Sequence, residues 1–77
     1  MSHNTESRKE WLNSLKVGTR VTVKTQIRTY DGAIEAIKKD KIWVLFEMGN
    51  KTYSTVWVNP ETGNNTATRV TINPFVD

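Results

Sequence analysis

Cysteine is absent from this 77-residue chain. No disulfide can staple the fold, and no thiolate is present to act as nucleophile or metal ligand. The absence fits a reducing compartment. Histidine occurs once, as His3 in the polar opening stretch "MSHNTESRKE". A general base must be held within hydrogen-bond reach of its substrate, and nothing in that stretch would hold one. One histidine and scattered carboxylates do not make a metal cluster. Asp31 and Glu35 are the nearest carboxylate pair, but they read as a turn residue and a surface strand residue. Gly32, Gly49 and Gly63 stand alone in turn-like surroundings, so no phosphate-cradling loop is present. No apolar run is long enough to cross a membrane. The opening also lacks the apolar segment of a secretory signal, so a cytoplasmic location is expected. The two Asn-x-Thr matches, at Asn50 and Asn64, then read as chance. These gaps argue against an enzyme, a cofactor and a small-molecule substrate.

What is there suits one small domain. A chain this short buries about 60% of the surface its unfolded form exposes, enough for a single core. The charged fraction of 25% is ordinary and the apolar residues suffice, so the chain is not a disordered one. The net charge is +3, and its distribution is uneven. Ten of the eleven Lys and Arg lie between Arg8 and Lys51, and Arg69 alone lies beyond.

The pattern along the chain predicts a frayed tail over residues 1–6 and one domain over 7–77. "SRKE" reads as a capping box between Ser7 and Glu10. Trp11, Leu12 and Leu15 then share one side of a two-turn helix, and Gly18 is placed to end that segment. The period next changes from 3.6 to 2. Val21 and Val23 alternate with Arg20, Thr22 and Lys24, which predicts a half-buried strand. Leu15, Val17, Val21 and Val23 are the expected start of the core. "TQIRTYDG" reads as a connection anchored by Ile27 and Tyr30, with Asp31-Gly32 as its turn. Residues 33–37 predict a second strand. Ile34 and Ile37 share a face there only if a bulge adds a residue. After the polar turn "KKD", residues 41–47 predict a third strand, with Ile42, Val44 and Phe46 opposite Trp43 and Leu45. "MGNK" reads as a tight reversal. Residues 52–58 predict a fourth strand, with Tyr53, Thr55 and Trp57 on one face. "NPETGNN" is a loop of turn formers. Residues 66–72 predict a fifth strand, ended by Asn73-Pro74. Five short strands at this spacing suggest a closed sheet, which removes exposed edges. The expected fold is therefore mainly β: a five-stranded barrel with a short N-terminal helix over one open end.

The stretches "WLNSLKVGTRVTV" and "DGAIEAIKKDKIWVLF" resemble the SH3-like small barrels. In these a short helix leads into a Leu-x-Val-Gly-x-x-Val-x-Val strand, and a later strand has a glycine followed by alternating aliphatics. Leu15, Val17, Gly18, Val21 and Val23 carry the match here. Thr19 stands where an acidic residue is common. Many short bacteriophage proteins look like this, so the resemblance implies an SH3-like barrel of bacterial or phage origin. It covers residues 11–46 and brings no functional residues with it.

Two binding roles remain. Small barrels bind single-stranded nucleic acid by stacking bases on exposed aromatics while cations track the phosphates. Trp43, Tyr53 and Trp57 are candidates for stacking, with Tyr30 beside them in the basic stretch. Arg28, Lys38, Lys39, Lys41 and Lys51 are the candidate cations. The competing reading fills the small core with the aromatics and leaves the lysines as a solvated turn. The same aromatic face would also suit a protein partner, as in a phage inhibitor or adaptor that blocks a host defence complex, nuclease or polymerase. The loop at 59–65 is a candidate finger for that role. Edge pairing between copies, through the fourth strand, its loop and the fifth strand, is a further option. The expectation favours nucleic acid or a nucleoprotein, because Tyr30 and Trp43 are interleaved with the basic residues between Lys16 and Lys51.

Overall fold

The period-2 alternation does set a sheet. The computed structural model describes residues 4–75, with side chains from Ser7 onward, so His3 lies outside the described residues. The order is α1 (Asn4–Asn13), β1 (Arg20–Lys24), β2 (Thr29–Ile37), β3 (Ile42–Gly49), β4 (Thr52–Val58), β5 (Asn64–Asn65) and β6 (Val70–Pro74). All pairings are antiparallel, in the order β4-β3-β2-β1-β6-β5. The sheet curls into a half-barrel around Val21, Val23, Ile34, Ile42, Val44, Phe46, Val58, Val70 and Ile72. Leu12 and Leu15 from the helical segment close that core at one end, and Trp11 packs against it.

There are six strands where the sequence predicted five. The difference lies after residue 58. The loop at 59–65 folds back on itself: the Asn59 carbonyl accepts from the Gly63 amide at 2.7 Å, and the Asn59 amide donates to the Asn64 carbonyl at 2.8 Å. That return lets Asn64 and Asn65 pair with Thr71 and Val70 as an extra strand. Residues 66–69 make a turn instead of starting the last strand. The Asn65 side chain accepts from the amides of Ala67 (3.0 Å) and Thr68 (3.2 Å), an Asx-type turn of the kind asparagine favours. Pro74 does not stop the strand early. It is the last residue of β6, opposite Val21 and beyond the two residues, Val70 and Thr71, that pair with β5.

Several expected turns and anchors also move. β2 starts at Thr29, so Asp31 and Gly32 lie inside a strand. Glycine is needed at 32 for close packing, not for a turn. A Cβ there would sit 2.8 Å from the Leu45 carbonyl oxygen and 3.1 Å from the Phe46 Cβ. The reversal falls at Thr25–Arg28, where the Thr25 amide and hydroxyl both donate to the Arg28 carbonyl, at 2.9 and 2.8 Å. Ile27 stands at its tip, 85% exposed, and anchors nothing. Val17 is likewise outside the core, at 66% exposure. It occupies the corner of a Lys16–Thr19 turn closed by a 3.0 Å hydrogen bond. Gly18 follows it with φ +96°, the left-handed third position that a type II turn requires. The helix begins at Asn4, so Ser7 lies inside it and is not its cap. Nothing in Asn4-Thr5-Glu6 breaks a helix, so the turn continues back through them. The bulge in β2 is present: the register shifts between Ile34 and Ala36.

Arg8 fixes the helix to the far edge of the sheet. Its guanidinium donates to the Thr62 carbonyl (3.1 Å), the Asn73 side-chain oxygen (3.1 Å) and the Ile72 carbonyl (2.9 Å). The helix is too short to persist alone, so this fork and the burial of Leu12 and Leu15 hold it in place.

Candidate nucleic-acid interface

Alternation along β3 and β4 decides which side chains leave the core. Ile42, Val44 and Phe46 are buried, so Trp43, Leu45 and Glu47 face outward. Register sets Trp57 opposite Trp43, Thr55 opposite Leu45 and Tyr53 opposite Glu47. The two tryptophans therefore share the outer face as direct cross-strand neighbours, and both are half-buried. Ala33 and Ala36 of β2 pair with Leu45 and Trp43. These small residues leave the flank of the aromatic pair low. The result is an aromatic and aliphatic stripe across β2, β3 and β4, with Tyr53 56% exposed at its far end.

The β2–β3 turn places cations at the tryptophan end. Lys38, Lys39 and Asp40 are exposed in it, and the Lys38 amide donates to the Lys41 carbonyl at 2.7 Å. The Lys41 ammonium lies 5.0 Å from the Trp57 ring centroid and 3.7 Å from the Asp40 carboxylate. An exposed ion pair of this kind contributes little. The cation–π contact is worth about 0.5–1 kcal/mol at an exposed site. Both leave the ammonium open to a stronger anion.

The structure divides the nine candidate residues. Lys38, Lys39, Lys41, Trp43 and Trp57 come together. Tyr53 lies on the same face, four residues along and so about 13 Å away. Arg28 and Lys51 belong to turns at the opposite end of the barrel, roughly 26 Å from the β2–β3 turn along β2. Tyr30 is placed there too and points inward: it pairs with Val23, and its ring lies 5.3 Å from that of Phe46. The structure brings Tyr30 into the packing under the barrel end and not onto the outer stripe. Residues between Lys16 and Lys51 are thus contiguous in the chain but not on the surface.

The alternation alone did not single out Arg20 as a site residue. It lies at one end of a shallow depression of about 220 Å³ on the outer face, lined also by Asp31, Ala33, Leu45, Glu47 and Tyr53. Its guanidinium carbon stands 4.0 Å from the Phe75 ring centroid. The signal for this depression is Ala33 between two longer neighbours, which only the register converts into a surface feature. Asp31 and Glu47 make this half of the face mixed in charge, so the cationic character belongs to the tryptophan end. Among the described residues, no three His, Cys, Asp or Glu side chains gather in a metal-binding arrangement. No described helix is long and apolar enough to cross a membrane.

No protein-family model matches the chain, and neither a curated protein nor a solved structure matches it.

Proposed function

We propose that this protein is a non-enzymatic binding module that contacts nucleic acid, alone or within a nucleoprotein complex, through the outer face of β3 and β4. The observation that carries this reading is the Trp43–Trp57 cross-strand pair on the side away from the core, with Lys38, Lys39 and Lys41 at its end. Two half-buried indoles offer stacking surfaces, and base–aromatic stacking is worth about 1–3 kcal/mol per base. The lysines would follow the phosphates. The half-barrel is read as SH3-like on its helix-to-strand passage through Leu15, Gly18, Val21 and Val23, and as a phage-type protein acting in the bacterial cytoplasm.

The test is fluorescence anisotropy with labelled single- and double-stranded oligonucleotides across a salt series. Three lysine–phosphate contacts on a single strand give a log–log slope of about −2, or roughly a twentyfold loss of affinity from 50 to 200 mM salt. The triple variant K38E/K39E/K41E should abolish binding. Trp57→Ala should weaken it by roughly 5- to 150-fold at constant fold. Salt-independent binding, or full binding by the lysine triple variant, would sink the proposal.

A second reading, a phage inhibitor or adaptor gripping a host protein, draws on the other end of the barrel. Ile27 and Met48 are 85% and 47% exposed there, beside a groove floored by Tyr30 and Phe46. Protein contact of that type would survive salt and fail on substitution of Ile27.

A further inference from the structure

We infer that the lower edge of β4 pairs with the same edge of a second copy of this chain, joining two half-barrels through a continuous antiparallel sheet. The backbone geometry identifies the free groups. Trp57 turns its carbonyl away from β3, since it accepts from the Asn65 side chain at 3.0 Å. The Asn59 amide turns the same way, toward Asn64 at 2.8 Å. Lateral direction alternates along a strand, so Tyr53 and Thr55 also point their N–H and C=O groups off the sheet. Among the described residues neither has a hydrogen-bond partner on that side. β5 closes the seam only at its upper end, because it is two residues long. The lower half of the seam is open, and Thr52, Tyr53 and Thr55 are exposed along it.

Native sheets guard such edges with charge, proline or a bulge. β4 carries neither charge nor proline over Thr52–Val58, in a chain with 19 Lys, Arg, Asp and Glu (11 + 8), and the one-residue shift in its ladder with β3 places the extra residue, Met48, on β3 and not on the free edge. The edge is also self-complementary. A two-fold axis at Ser54 sets Tyr53 opposite Thr55 of the other copy and Thr55 opposite Tyr53, so each pair exchanges two backbone hydrogen bonds. Aromatic against β-branched is a favourable cross-strand pair, and no like charges meet. The other sheet edge, β5, is too short to receive β4. Among the described residues, the one long edge a second copy can offer is therefore its own β4, which makes the contact isologous and closed. This inference does not depend on the nucleic-acid reading.

Sedimentation equilibrium of the full chain over a hundredfold concentration range, at low salt, is the deciding experiment. The expected result is a reversible shift from 8.8 kDa to twice that mass. Thr55→Pro removes an N–H that faces the edge and not the β3 ladder, a position where proline is tolerated. By symmetry it deletes two intermolecular hydrogen bonds and should weaken the dimer roughly thirtyfold, with the circular dichroism of the monomer unchanged. If that variant does not fold, Y53K/T55K decides: it sets like charges opposite each other and should leave a monomer, while Y53K/T55E should restore association. A protein that stays at 8.8 kDa throughout overturns the inference and leaves the edge to a foreign extended peptide. A dimer unaffected by these substitutions overturns it as well.

Discussion

Asn65 is the one described polar side chain that is fully inside, at 3% exposure. It sits at the seam where β4 meets the end of the sheet. Its side-chain nitrogen donates to the Trp57 carbonyl at 3.0 Å, and its oxygen accepts the Ala67 and Thr68 amides at 3.0 and 3.2 Å. Asn65→Ala would delete three hydrogen bonds with a net worth of about 0.5–1.5 kcal/mol each and leave their backbone partners poorly solvated. The expected loss is roughly 2–4 kcal/mol. A domain of this length has about 4–12 kcal/mol of total stability, so the variant should sit near the edge of folding. Urea unfolding followed by tryptophan fluorescence measures the loss directly. The midpoint should fall while the slope stays constant, because the surface exposed on unfolding does not change. By heat, the midpoint should drop by about 10–25 °C. Asn64→Ala is the control. That side chain makes no hydrogen bond among the described residues, so its cost should stay within about 0.5 kcal/mol. If the two alanine variants unfold alike, Asn65 does not hold the seam, and the account of how six strands approach a closed barrel is wrong.

Three further outcomes are expected. Arg8→Met keeps the aliphatic stem but removes the fork onto Thr62, Ile72 and Asn73; it should cost about 2 kcal/mol, and hydrogen exchange should show α1 losing protection before the sheet. Gly32→Ala forces a Cβ to within 2.8 Å of the Leu45 carbonyl, so calorimetry should record a loss of about 1–3 kcal/mol, as overpacking typically gives. A variant indistinguishable from wild type would mean that β2 and β3 approach less closely than described. Ile27→Ser removes an apolar side chain that touches little of the core; its unfolding free energy from urea titration should not fall by more than about 0.5 kcal/mol, and a larger fall would show that Ile27 packs after all.

Much of the sheet was readable because alternation is a local signal. Val21 and Val23 are expected inside, and Ile42, Val44 and Phe46 on one common face; the structure buries all five. The spacing of Ile34 and Ile37 leaves a bulge in β2 as a condition for a shared face; the bulge is there, although Ile37 is 44% exposed. Errors gathered where one residue type serves two ends. Glycine after aspartate signals a turn, yet Gly32 is small because Leu45 and Phe46 press on it from the neighbouring strand. Valine beside two core positions reads as core, yet Val17 stands at a turn corner. Asparagine in "GNN" reads as loop, yet Asn65 is the buried bridge between β4 and the turn before β6. Each of these depends on a partner distant in the chain, which local pattern does not contain.

The candidate surface divides in the same way. Periodicity sets Trp43 opposite Ile42 and Val44 on its own strand, and Trp57 opposite Val56 and Val58 on its own, because residues two apart on a strand point to one side. That the two tryptophans stand opposite each other is a matter of register, set by the tight turn in which Asn50 and Lys51 both take positive φ (53° and 58°) together with the one-residue shift between Glu47 and Gly49, without which Trp57 would face Val44. The basic stretch from Lys16 to Lys51 is a property of the chain, but its reach as a patch is not. Antiparallel strands carry Lys38, Lys39 and Lys41 to one end of the barrel and Arg28 and Lys51 to the other. Composition and period thus determine the strands and the two sets of side chains that alternate along each one. Neighbours across the sheet, the closed or open state of the seam, and the grouping of charge arise only when the strands pair, because each needs contacts between residues far apart in the chain.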